Sequence, residues 1–398
     1  MYGLFANLKC LCIYIARHSP DTLGPIPLNP GESTSESKEV FLPGTIPKGD
    51  IIFAFDLTGS MGDDIDVAKA EAINIMDAID LLVSDAEYGV MSFMDYPHYY
   101  DSYGYANYYG DAGYGDYAYS LDQSLTNDKT QVSNTINALV LGYGADGPQD
   151  YTRIMYESYA DAAVGWRTGS RRILVLFGDA VPHDDDLTVG VPGKIGPFST
   201  GGDPGRNETM DFGGDDLDLQ TVLGDMDTNN VVLLYVQCEN PYPSDALDYW
   251  EHWTSITGGD AYPIADADDI PVAIQTLVGA LAAHVDVLTL IAEAGYESWL
   301  TSVVPSEYDD IDIPPEGIYK TFDITITVPL GTLPGTYIFH IIADADGASY
   351  GEQEVTIIVP TEHVIPEVPF GTILASVSML MGFVGFFFIP RFKRKQNI

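Results

Sequence analysis

The sequence predicts an α/β domain built on a doubly wound sheet, followed by a small all-β sandwich and one C-terminal transmembrane helix. Three observations carry this. Short apolar runs at residues 51–55, 88–94, 171–177 and 231–237 alternate with helix-period stretches across residues 50–285, the pattern of strands wound between helices. From residue 286 to 360 the grammar changes to strict alternation, as in Phe322-Asp-Ile-Thr-Ile-Thr-Val, with Gly- and Pro-marked turns. Residues 370–390 are apolar and long enough to span a bilayer, and Arg391, Lys393, Arg394 and Lys395 follow.

At 398 residues the chain suits two or three domains, and its net charge of -42 is its dominant bulk property. Acidic residues outnumber basic ones 59 to 17, which excludes nucleic acid as a partner of the folded part. Such an excess fits a surface-exposed protein, cation binding or high-salt solubility. Cys10 and Cys12 near the N-terminus and Cys238 in an apolar run make no disulfide framework, and Cys238 reads as a buried small hydrophobe.

Residues 4–16 are apolar but interrupted by Lys9, and read as a poor signal peptide or a misplaced start. Residues 19–49 carry six prolines and a Ser/Glu-rich run, so 1–49 is read as an N-terminal segment and linker, with a short edge strand at 40–42. The first strand then stops at Asp56, and Thr58 and Ser60 follow on alternate residues. A carboxylate and two hydroxyls on one tight loop supply oxygen ligands with little charge, so Mg²⁺ or Mn²⁺ held there stays electrophilic toward an incoming carboxylate. From Asp63, Ile65, Ala68, Ala72, Ile75, Ile79 and Leu82 recur at helical spacing. Asp63 and Asp64 lie in the first turn, where they favour the helix dipole and also reach toward a second cation, such as Ca²⁺.

After the second strand, residues 96–119 interleave ten tyrosines with Gly, Asp, Ser and Asn, a long loop that reads equally as a recognition surface or as a segment packed on itself. A helix at 132–140 precedes a Gly-rich turn at 142–150, and a second helix spans 152–164. Strand 171–177 ends at Asp179, a carboxylate again placed at the sheet edge where open α/β folds bind ligands. The acidic stretch 181–229 offers Asp203, Asn207, Asp211, Asp215 and Asp216 as oxygen donors for a Ca²⁺ loop, although they miss the EF-hand spacing and a solvated loop explains them equally. Asn207-Glu-Thr209 is a glycosylation sequon. Trp250 and Trp253 on the helix 246–256 are expected in the core, and a short strand at 261–264 and a helix at 270–284 complete the domain.

The order Asp56-x-Thr58-x-Ser60, Asp146, Asp179, each at a strand end or Gly-rich loop on one predicted edge, resembles the von Willebrand factor A-type (vWA) domain over residues 50–285. That resemblance implies a metal-ion-dependent adhesion site, with Asp56, Thr58, Ser60, Asp146 and Asp179 around the metal. The first loop is most similar to the integrin β-subunit inserted domain, which implies an adjacent cation at Asp63 and Asp64. In the second loop Asp146-Gly-Pro148-Gln149 departs from that pattern, with the neutral amide of Gln149 where the family has a carboxylate. Ile365-Pro-Glu-Val-Pro-Phe, the span and the basic end resemble archaeal surface-protein sorting signals; a simple single-pass anchor explains them equally.

Together these features predict a cell-surface binding protein, not an enzyme, anchored by its C-terminus with the N-terminal part outside. Its partner would be a protein or other surface ligand offering a carboxylate. The rivals are a surface-layer or assembly protein in which metal only stabilises the fold, and a metal-dependent hydrolase. His183 is the only histidine near the predicted metal edge and lacks a nucleophile beside it, so it reads as a loop hydrogen-bonding residue.

Overall fold

The computed structural model describes residues 17–361. At its centre is a six-stranded sheet in the spatial order Ala261–Pro263, Val231–Tyr242, Arg171–Ala180, Gly49–Asp56, Ala86–Phe93 and Ser120–Thr126. Only the last strand is antiparallel to its neighbour. The strands bury alternate residues on opposite faces. Ile51, Phe53 and Phe55 meet the helices Gly62–Ile79, Lys129–Ala138 and Ile270–Ala282 on one side. Ile52 and Ala54 meet Tyr151–Ala160, Leu219–Thr228 and Ala246–Ile256 on the other, where Trp250 and Trp253 are fully buried. The chain winds outward in both directions from strand Gly49–Asp56. Its C-terminal end beside Arg171–Ala180 is therefore the topological switch point, where such sheets open a ligand crevice.

The N-terminal linker is a correction. Residues Arg17–Ser19, Thr22–Pro27 and Ser33–Leu42 are strands of the β-sandwich. One sheet orders Arg17–Ser19, Ser33–Leu42, Ile318–Thr327 and Leu300–Val304. The other orders Glu307–Asp312, His284–Ala292, Gly335–Ala345, Ala348–Val359 and Thr22–Pro27. The sandwich thus draws on both ends of the described chain, and the α/β unit is inserted between Leu42 and His284. The Ser-rich run looked like linker because its partner strand is Thr-rich and distant in sequence. Ser33 and Ser35 hydroxyls pair with those of Thr327 and Thr325 at 2.8 Å each. Val40, Leu42, Phe322, Ile324, Leu290, Phe339, Ile341 and Val355 form the common core of the two sheets.

A second correction concerns the tyrosine segment. Tyr99–Ser102 and Tyr105–Tyr108 form a hairpin, and Tyr96, Tyr100 and Tyr109 pack with Ala118 into a small core of their own. The following strand Ser120–Thr126 carried no apolar run that would mark it in the sequence, because it is a polar edge strand. No helix among the described residues is long and apolar enough to cross a membrane. The predicted span 370–390, the sorting-signal resemblance and residues 1–16 lie outside the described residues.

Candidate functional site

Parallel pairing of Gly49–Asp56 with Arg171–Ala180, in register at Phe55 and Phe177, brings Asp56 and Asp179 to the same sheet edge. Asp56 is fully buried. Its Oδ1 accepts hydrogen bonds from the Thr58 backbone N–H at 2.9 Å and the Thr58 hydroxyl at 2.6 Å. Thr58 Oγ1 lies 3.4 Å from Ser60 Oγ, and the Ser60 hydroxyl is near enough to Asp179 to favour its charged form. The structure therefore assembles Asp56, Thr58, Ser60 and Asp179 into one cluster of oxygen atoms.

Burial pushes the Asp56 carboxyl up to about 7, and the charge of Asp179 adds to the shift. Asp179 is raised as well, again by burial. Among the described residues no basic side chain is among the groups that act on either carboxylate. Two adjacent desolvated carboxylates without a cation are held against their own repulsion, which a divalent ion would relieve.

Tyr151 is a residue that sequence reasoning missed. It opens its helix fully buried and donates its hydroxyl hydrogen to Asp56 Oδ2 at 2.6 Å, while the Tyr151 hydroxyl oxygen accepts from Ala180 N at 3.2 Å. The tyrosine fits because residue 178 is glycine: a Cβ there would stand 2.1 Å from Tyr151 Oη. The Gly178-Asp179 pair after the strand was the available signal.

The second loop divides its residues between two places. It lies against the first loop through Gly142 N to Leu57 O at 2.8 Å and Gly59 N to Tyr143 O at 3.0 Å. Gly144, at φ +65°, sits between the Thr58 methyl and the Gln149 amide, either of which a Cβ would crowd. Gln149 Oε1 is buried with no hydrogen-bond partner, so it offers an oxygen beside Thr58. Asp146 faces elsewhere: Oδ2 accepts from the Tyr105 hydroxyl at 2.8 Å, and Oδ1 lies 3.8 Å from His183 Nε2. The expectation that Asp146 joins Asp56 is thus replaced by a placement beside His183, because the turn at Gly147-Pro148 separates the Asp146 and Gln149 side chains. Asp116, from the tyrosine segment, fixes this loop by accepting from Tyr143 N at 2.8 Å and Gly144 N at 3.0 Å.

Of the first-turn pair, Asp63 is exposed and Asp64 buried. Burial raises Asp64 to about 6, opposed by the nearby thiol of Cys238, the buried cysteine of strand Val231–Tyr242. Asp64 Oδ1 has no partner. The acidic stretch does not gather its five donors. Asp203 is buried and accepts from Tyr96 Oη at 2.7 Å and Gly205 N at 2.9 Å. Asn207 donates its amide to Asp215, and Asp216 closes a turn with Asp211 N at 3.2 Å. Backbone turns use these side chains locally, which disperses them. The described residues that do cluster are Asp184, Asp185 and Asp218 in this stretch, and Asp95, Asp146 and His183 beneath the hairpin.

No protein-family model and no curated protein matches the chain. Among solved structures it is similar to a von Willebrand factor type A protein from Catenulispora acidiphila, at 13% identity and TM-score 0.37 over 84% of this chain and 72% of that one. It is also similar to the ArnB paralog VWA2 from Sulfolobus acidocaldarius, at 13% identity and TM-score 0.32 over 86% and 73%. A third is the pilus adhesin SpaC from Lactobacillus rhamnosus GG in its open conformation, at 12% identity and TM-score 0.40 over 82% of this chain and 45% of SpaC. The chain therefore spans less than half of that adhesin.

Proposed function

We propose that the inserted α/β unit is a divalent-cation-dependent binding module of the vWA type. The observation that carries this is the buried pair Asp56 and Asp179, joined by Thr58 and Ser60 and lacking any basic partner among the described residues. Asp56, Thr58, Ser60 and Asp179 would hold Mg²⁺ or Mn²⁺, with Gln149 Oε1 alongside. The bound ion would supply a Lewis-acidic position for a carboxylate of the ligand. Tyr151 and Thr58 orient Asp56, and Asp116 holds the second loop in place.

In this reading the protein acts at the cell surface, anchored through residues 370–390, and binds a protein or other surface ligand that offers a carboxylate. It is a binding protein and not an enzyme; the neutral Gln149 lowers the charge of the site, so the ion is held less tightly and remains more electrophilic. The test is capture of surface ligands by the purified protein in Mg²⁺ and in EDTA, in parallel with Asp56→Ala. Capture that needs Mg²⁺ and is lost in Asp56→Ala supports the reading. Capture indifferent to both contradicts it, and a variant that only melts earlier while still capturing favours a purely structural metal.

A further inference from the structure

A second group of ligating atoms lies beneath the tyrosine hairpin, apart from the Asp56 cluster. His183 is fully buried and its Nδ1 lies 2.6 Å from the carbonyl oxygen of Thr200. A carbonyl only accepts, so Nδ1 carries the hydrogen and the Nε2 of a neutral ring presents a lone pair. That lone pair faces Asp95 Oδ2 at 3.2 Å and Asp146 Oδ1 at 3.8 Å. The three ligand atoms all lie within 4.8 Å of one another.

Each carboxylate is already tied down by its other oxygen. Asp95 Oδ1 accepts from Tyr96 N at 2.7 Å, and Asp146 Oδ2 accepts from the Tyr105 hydroxyl at 2.8 Å. Each therefore has one oxygen left for the point of convergence. Asp146 Oδ1 has no hydrogen-bond partner although the side chain is 2% exposed. The ring plane of His183 is also fixed, stacked on Tyr109 with centroids 3.5 Å apart and planes 2° apart. His183 Nε2 and Asp95 Oδ2 share a hydrogen bond, which with the Nδ1 hydrogen committed to Thr200 needs a proton on Asp95. A cation would replace that proton and also satisfy Asp146 Oδ1, which has no partner.

We propose that Asp95, Asp146 and His183 form a second divalent-metal site, for a borderline ion of the Mn²⁺ or Zn²⁺ kind that accepts one imidazole and two carboxylates. The mixed nitrogen and oxygen set separates it from the all-oxygen Asp56 cluster, which suits Mg²⁺. The ion would pin three separate segments together: the end of strand Ala86–Phe93, the second loop and the loop after Arg171–Ala180. Tyr96, Tyr105 and Tyr109 contact the ligands directly, so the ion also fastens the hairpin over the sheet edge. Asp150 and Asp203, both fully buried, share the same interior with the Arg153 guanidinium, which offsets their charge. This site stands whether or not the Asp56 cluster binds metal.

The experiment strips the full-length protein with chelator, saturates it with Mn²⁺ and records the ¹⁴N coupling of the bound ion by pulsed electron paramagnetic resonance. An imidazole-nitrogen coupling is expected in the wild type and in Asp56→Ala, and it disappears in His183→Gln. Asp146→Ala, on a loop, should weaken this binding by about 100-fold while keeping the fold, checked by circular dichroism. Mn²⁺ bound without nitrogen coupling in the wild type, or a coupling that survives in folded His183→Gln, overturns the proposal. Should His183→Gln fail to fold, the wild-type spectrum and the Asp146→Ala affinity decide by themselves.

Discussion

Tyr151 donates its hydroxyl hydrogen to Asp56 Oδ2 at 2.6 Å, so a tyrosine from the helix after the second loop orients the carboxylate that ends the central strand. The contact ties the first metal loop to the opposite face of the sheet, where Tyr151 packs edge-on against Phe93 and Trp250. Tyr151→Phe keeps the packing and removes only the hydrogen bond. It is expected to destabilise the fold by about 1–3 kcal/mol and to weaken Mg²⁺ binding by about tenfold, read by denaturant titration and calorimetry.

Gly178→Ala should act through the same contact, since its Cβ would collide with the Tyr151 hydroxyl at 2.1 Å. Both atoms are buried between packed elements, so the strain is relieved only by moving Tyr151 off Asp56. Loss of about 1–3 kcal/mol is expected. The Cβ would also stand 2.5 and 2.7 Å from ring carbons of Tyr151. Combining Gly178→Ala with Tyr151→Ala, which removes the ring, should therefore cost less than the sum of the two single variants, and a strictly additive double variant would contradict the contact.

Burial raises Asp56 to about 7, Asp146 to about 7 and Asp64 to about 6, whereas an unfolded aspartate titrates near ~4. Between these values the metal-free folded chain holds protons that the unfolded chain has released, so the stability these groups contribute is complete below about pH 4 and is lost as pH rises through about 7. His183, lowered by burial, works in the opposite sense up to about pH 6.5, which reduces but does not reverse the combined effect of the three carboxyls. Metal-free protein is expected to melt at a lower temperature at pH ~8 than at pH ~6. Added Mg²⁺ or Mn²⁺ should raise the melting temperature more at the higher pH, where proton competition has gone.

Lys38 tests the place of the N-terminal strands. Its side chain is 0% exposed, and its Nζ donates to Glu36 Oε1 at 3.1 Å and to the Pro20 carbonyl at 3.2 Å. Gln353, from the far end of the described chain, donates to the same two oxygens at 2.6 and 3.0 Å. Lys38→Ala would leave the Glu36 carboxylate without its cation and is expected to cost about 3–5 kcal/mol by chemical denaturation. A linker residue would cost nothing measurable.

The strand ends were legible because an apolar run that stops at an aspartate is a local pattern, and it marks both Asp56 and Asp179. Asp95 obeys the same rule after the run 88–94, and its signal was masked by the tyrosine segment that begins beside it. The strand Ser33–Leu42 was illegible for a physical reason: its alternating Ser, Thr and Glu become strand-like only beside Ile318–Thr327, more than 280 residues on. Long-range pairing also decides the second loop. Its composition shows that Asp146 and Gln149 carry oxygens, but only the folded hairpin shows that Tyr105 draws Asp146 toward His183.

The central claim is that Asp56 and Asp179 hold a divalent cation with Thr58 and Ser60. Calorimetric titration of Mg²⁺ into chelator-treated wild type, Asp56→Ala and Asp179→Asn tests it most directly. Binding in the wild type that falls by about 100-fold or more in both folded variants is the expected result. Mg²⁺ binding of unchanged affinity in the variants, or none in the wild type, would contradict it.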